Sequence, residues 1–277
     1  MPVIPNATNM HITETRSSDL LLKLAALLLG MALLTFLGTL LDDRLVSQQI
    51  VQANVWAKPL KFQLSMAVQL LTVWWALQHL NRQGAPMSGQ TQLVGALVVT
   101  VIFETSYITL QGARGMPSHF NQTSDLESLA SSLMAAGAYV LVGTSAWIGC
   151  VAGWRWLQQR PSQRDPMLLA IALGFVLMFL LAGWTGSALG QHRGPFVQVV
   201  PLSGITVPLT LWRLDVGDLR ISHFMGNHAM QALPLVAWLL TRHPRHVRHA
   251  AIVCTATVWI SVTVWLMQLA LNNTGIL

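Results

Sequence analysis

The stretch RISHFMGNHAMQALP, Arg220 to Pro234, sets His223, Asn227 and Gln231 at i, i+4 and i+8, with His228 between them. On a helix this spacing places the three on one face. Imidazole beside carboxamides suits metal ligation, proton transfer or the binding of a polar ligand. Two earlier segments carry comparable stripes: Lys61, Ser65 and Gln69 in NVWAKPLKFQLSMAVQ, and Glu104, Tyr107 and Gln111 in VIFETSYITLQGARG. The segment RGMPSHFNQTSD adds Arg114, His119 and Asn121.

Several chemistries compete for these residues. His223 and His228 are i, i+5, about 140° apart on an ideal helix, so a shared metal needs a third ligand, for which His119 or Glu104 is available. Zinc, copper, iron or a haem would accept such a set, and the spacing does not choose among them. Glu104 is the sharpest single residue, because an acid in an apolar run is costly against lipid. It is expected to face inward, with Lys61, Arg114, His223 or His228 as its partner. Glu104 and His223 are therefore the candidate catalytic or proton-carrying pair. Lys58 and Lys61 flank Pro59 at a helix start, where the dipole favours a carboxylate or phosphate. With Arg114, Asn121, Asn227 and Gln231 they form the candidate set for a small-molecule or ionic ligand. The plainer alternatives are snorkelling lysines and histidines that only pack.

Long apolar runs must position these residues. The chain has 277 residues, 53% of them hydrophobic and 9% charged, against about a quarter charged in soluble proteins. Seven runs, about 20–41, 60–80, 92–110, 128–154, 166–189, 222–240 and 250–271, each approach the roughly 20 residues that cross a bilayer as helix. The expectation is an all-α integral membrane protein: a single domain of about seven transmembrane helices, with a polar tail over residues 1–19. Cys150 and Cys254 fall inside runs and lack any metal-binding or redox spacing.

The net charge of +6 sits largely in short loops, which argues for membrane topology and against a nucleic-acid partner. WRWLQQRPSQR and TRHPRHVRH both fall on the side of the N-terminus, predicting a cytoplasmic N-terminus and an extracytoplasmic C-terminus in a bacterial inner membrane. The three polar stripes then begin at the extracytoplasmic face. Between runs five and six, residues 190–220 are too long for a tight turn. FVQVV and ITVPLT flank the turn signal PLSG there, predicting a short hairpin or re-entrant lid.

The segments WAKPLKF, RGMPSHFN and GDLRISHFMGNHAMQALP together resemble a group of bacterial multispanning proteins with W-x-K-P-x-K-F, R-G-x-x-S-H-F-N and H-F-x-G-x-H-A-x-Q segments. The resemblance implies that Lys58, Lys61, Arg114, His119, His223 and His228 belong to one unit, and implies no activity. Three functions stay open: a His-ligated metal or haem membrane enzyme, a proton-coupled transporter or permeation protein, and a non-catalytic sensor or assembly partner. Substrate and oligomeric state are not legible.

Overall fold

A computed structural model describes residues 7–48, 51–84, 86–201, 203–208 and 210–277, with side chains from residue 18 onward except 47–52. All seven apolar runs are helices: α1 (Ala7–Leu41), α2 (Ala57–Arg82), α3 (Gln90–Arg114), α4 (Asp125–Gln158), α5 (Pro166–Gln191), α6 (Leu219–Leu239) and α7 (Arg245–Leu271). The chain is an all-α membrane protein. Five helices, α1 from Ser18 onward, α3, α4, α5 and α7, are long and apolar enough to cross a bilayer. The remaining two, α2 and α6, carry the lysines of the first stripe and the histidine segment, which lower their hydropathy. Large side chains such as Leu34, Val99, Tyr139 and Trp238 lie exposed along the helices, as lipid-facing surface requires.

Two elements differ from expectation. The polar N-terminal stretch is not a tail throughout, since α1 already begins at Ala7; its Ala, Met and Glu residues are compatible with helix. A short hairpin, β1 (Leu45–Gln48) paired with β2 (Val51–Asn54), lies between α1 and α2, where β-branched residues recur in LVSQQIVQAN.

The helices form two compact units. One comprises Met1–Arg44 and Asn54–Ser118, the other Leu45–Ala53 and His119–Leu277. In the first, α1 packs on α2 and α3, which also touch each other. Its interhelical turn is tied by polar groups. Arg44 forms a two-pronged ion pair with Asp42 (Nη2 to Oδ2, 2.7 Å) and donates to the Ala113 carbonyl at the end of α3. The indole of Trp56 donates to the same carboxylate at 2.8 Å. Arg44 and Trp56 together hold the Asp42 carboxyl well below its ordinary range.

In the second unit, α5 packs against α4, α6 and α7. Glycine permits the α5–α6 contact: a Cβ on Gly226 would stand 2.8 Å from the Ala182 nitrogen and 2.9 Å from the Leu181 carbonyl carbon. Any larger residue would push α6 away. Side-chain caps start three helices: Ser124 for α4, Asp165 for α5 and Asp218 for α6, each satisfying an N–H that the first turn leaves open.

The loop between α5 and α6 does contain a hairpin, but its turn is displaced. Thr206 bridges Arg213, and Val207 donates to the Trp212 carbonyl at 2.8 Å. The hairpin therefore closes between Val207 and Trp212 rather than at PLSG, whose Leu202 lies outside the described residues. Arg213 explains the displacement. Its guanidinium donates to the carbonyls of Pro201 (2.7 Å) and Ser203 (3.0 Å), which ties both residues to a buried cation.

Candidate functional site

The polar face of α6 is best resolved at His223. Its Nδ1 lies 3.1 Å from Thr185 Oγ1 on α5. The threonine hydroxyl also donates to the Leu181 carbonyl at 2.8 Å. His223 is therefore held at Nδ1 by Thr185, and its ring also bonds to the Ala182 backbone. Gly186 makes room for the imidazole, since a Cβ there would approach His223 Cε1 to 3.2 Å. Asn227 Nδ2 donates to the His223 carbonyl at 3.1 Å, one turn back.

His228 belongs to another flank. Its ring lies 4.1 Å from that of Phe224, which in turn meets Trp212 of the loop hairpin edge-on at 5.0 Å. His228 also interacts with Gln231. Trp212, Phe224 and His228 form an aromatic row along α6, while His223 is turned into the α5 interface. The i, i+5 geometry anticipated this divergence. His119 lies elsewhere in the same unit, edge-on to Phe120. Asn121 is buried, and its Oδ1 accepts from the backbone and hydroxyl of Thr123 (3.1 and 2.9 Å).

Among the described residues, no three His, Cys, Asp or Glu side chains form a group that could hold a metal ion. The anticipated set of His119, His223 and His228 is therefore not assembled. The physical reason for the α6 pair is their separation around the helix and the commitment of His223 Nδ1 to Thr185.

In the first unit, Glu104 lies on the buried face of α3 with Thr100, Val101, Ile108 and Gln111, 3% exposed. Its Oε1 accepts no hydrogen bond from any described residue. The anticipated ion pair with Lys61 or Arg114 is not formed. Arg114 instead donates to Gln111 Oε1 at 3.2 Å, and Gln111 donates to the Tyr107 hydroxyl at 2.8 Å. These three make a polar chain along the end of α3. Lys58 stands 5.9 Å from the Phe62 ring centre, and the first turn of α2 contains no acidic residue of its own.

The predicted stripe on α2 faces differently from expectation. Ser65 is exposed and Gln69 half-buried, whereas the fully buried polar residue is Gln63, which donates to Thr109 of α3 at 3.2 Å. Gln63 lies about 160° around the helix from Lys61 and Ser65, so the buried face of α2 is nearly opposite the stripe.

Sequence inspection also passed over RLDVGDLR, residues 213–220. Arg213, 1% exposed, grips Asp215 through Nε (2.9 Å) and Nη2 (2.7 Å). Arg220 grips Asp218 the same way, with Nη2 to Oδ2 at 2.6 Å. Asp218 additionally accepts from the backbone N–H of Arg213 and of Arg220, both at 3.0 Å. The hydrogen bond from Arg213 pulls the Asp215 carboxyl down to about 2. Asp218 is thereby cap, ion-pair partner and loop anchor at once. The signal that was available is the mirrored R-x-D and D-x-R spacing.

No family model matches the chain, and no curated protein and no solved structure is significantly similar to it.

Proposed function

We propose that this is a multispanning protein of the bacterial inner membrane that couples permeation to proton movement, with Glu104 as the proton-carrying group. α2 and α6 complete a seven-span topology in this reading, placing their polar residues within the membrane. The observation that carries it is a buried carboxyl in a spanning helix whose Oε1 accepts no hydrogen bond from any described residue. A structural acid in lipid is normally held by a partner, and an acid without one is retained for what it does. Arg114, Gln111 and Tyr107 on the same helix supply polar groups toward its C-terminal end. Lys58 and Lys61 are the remaining candidates for ligand contact within the same unit.

The test is proton flux into proteoliposomes, followed with an entrapped pH-sensitive dye under an imposed potential. Wild type is expected to acidify or alkalinise the lumen, and Glu104→Gln to reduce the rate at least about tenfold, since loss of an essential proton carrier removes the path. The variant should melt at the same temperature as wild type or higher, because amide for unpartnered acid removes a buried ionisable group. Equal flux in both proteins sinks the proposal.

His223 supports a second reading, as a metal or haem enzyme. A ring anchored by Thr185 resembles a metal-ligating histidine oriented by a neighbouring hydrogen bond. A three-histidine site does not fit, so His223 would be the lone histidine ligand. Elemental analysis of chelator-free protein beside His223→Ala separates the readings: stoichiometric metal lost in the variant favours this one.

A further inference from the structure

At the end of the second unit where α4 stops and α5 and α7 start, basic and aromatic side chains surround a cavity of about 460 Å³. We propose that this cavity binds the phosphodiester headgroup of an anionic phospholipid.

The cavity has a polar and an apolar wall. Arg164 lies over the Trp156 ring at 4.2 Å, and its Nε is buried with no acceptor among the described residues. The Trp156 indole donates to His249 Nε2 at 3.3 Å, and His249 Nδ1 donates to the Arg245 carbonyl at 2.9 Å. Both rings are therefore fixed before any ligand arrives. Arg245, one turn before the lining His249 on α7, donates through Nη1 to the Ser162 carbonyl at 2.9 Å. The rest of the lining is apolar, with Leu169, Ala250 and Val253, and Val253 is half exposed.

Electrostatics supplies an independent reason. Helix α7 begins at Arg245 with no side-chain cap and no acid in its first turn. Arg245, His246, Arg248 and His249 crowd the end of the helix where the dipole is already positive. That arrangement is unfavourable alone and is relieved by an anion. None of the cavity-lining residues is acidic, and the nearby Asp165 is engaged as the cap of α5, accepting from Met167 N at 2.9 Å. A soluble phosphate would satisfy the polar wall. The apolar wall running out to Val253 fits the glycerol and first methylenes of a lipid, and basic pockets between membrane helices are sites of this kind.

The full chain, purified in mild detergent, is titrated with dioleoyl phosphatidylglycerol, with dioleoyl phosphatidylcholine and with inorganic phosphate. Retained lipid is counted by native mass spectrometry and the melting temperature is followed in parallel. The expected result is retention and stabilisation with phosphatidylglycerol alone, and about tenfold weaker retention in Arg164→Gln/Arg245→Gln, as for the loss of two charge-assisted contacts. Should the double variant fold poorly, Arg164→Gln alone is expected to weaken retention about threefold to fivefold. Equal retention of the two lipids, or unchanged retention in a folded variant, overturns the proposal. Stabilisation by millimolar phosphate equal to that by lipid overturns it in favour of a soluble anion.

Discussion

The two ends of the four-helix unit handle charge in opposite ways. Where α6 begins, Arg213, Asp215, Asp218 and Arg220 pair completely, and their spare N–H groups reach the carbonyls of Pro201, Ser203 and Leu211. The C-terminal residues join the same knot, with Ile276 donating to the Leu214 carbonyl at 2.7 Å. Where α7 begins, arginines and histidines gather around Trp156 without a lining acid, and a guanidinium N–H is buried without an acceptor. A saturated network fixes structure, whereas an unsaturated one holds capacity for a ligand. The first end is thus a clasp and the second a receptor, and mutations should separate them by whether stability or binding changes.

The largest effect on stability is expected from Asp218→Ala. The change removes the α6 cap and strands a partly buried Arg220 together with the backbone N–H of Arg213. Breaking one side of a buried pair costs about 3–5 kcal/mol, and loss of a cap about 1 kcal/mol more. Little folded protein should survive extraction, and size-exclusion chromatography in detergent reads this directly. A variant with wild-type yield and melting temperature would show that the clasp does not hold the loop.

Acid should loosen the same end at a defined pH. The Asp215 carboxyl, lowered to about 2 by Arg213, is more acidic folded than unfolded, so its contribution is fully present above the ordinary carboxylate value of 3.8. That contribution fades as pH falls from there toward 2. The melting temperature of wild type should therefore drop over this window more steeply than that of Asp215→Asn, which lacks the titrating group. Parallel curves for the two proteins would remove Asp215 from the clasp.

How far these differences were legible in the sequence depends on the range over which each is determined. All seven helices followed from apolar run length, because in lipid the backbone must satisfy itself within each segment. The divergence of His223 and His228 followed from helical periodicity alone. The partner of His223 did not, since Thr185 is 38 residues away and only α5–α6 packing pairs them. The same limit hid Gln63, whose burial depends on which face α2 turns to α3. PLSG misled for a related reason: turn residues report local preference, whereas the buried Arg213 set the loop's course through contacts on both sides of it. RLDVGDLR was legible as mirrored charge spacing, which sets each arginine two residues from an acid.

The smallest stability effect belongs to Arg164→Gln, and its smallness is what gives it value. Arg164 stacks on Trp156, while its buried Nε satisfies no described carbonyl or carboxylate. In lipid-free detergent the substitution should change stability by less than about 0.5 kcal/mol, the range of substitutions that break no network. The stabilisation gained on adding phosphatidylglycerol should nevertheless shrink, and more visibly at low ionic strength, where an exposed cationic site acts over a longer distance. Melting curves with and without lipid, at two salt concentrations, resolve both quantities in one experiment. If Arg164→Gln instead destabilised the lipid-free protein as Asp218→Ala is expected to, the basic end would be a second clasp. Its arginines would then be closing the α4–α5 connection against α7, a role that the bond from Arg245 to Ser162 would have to carry.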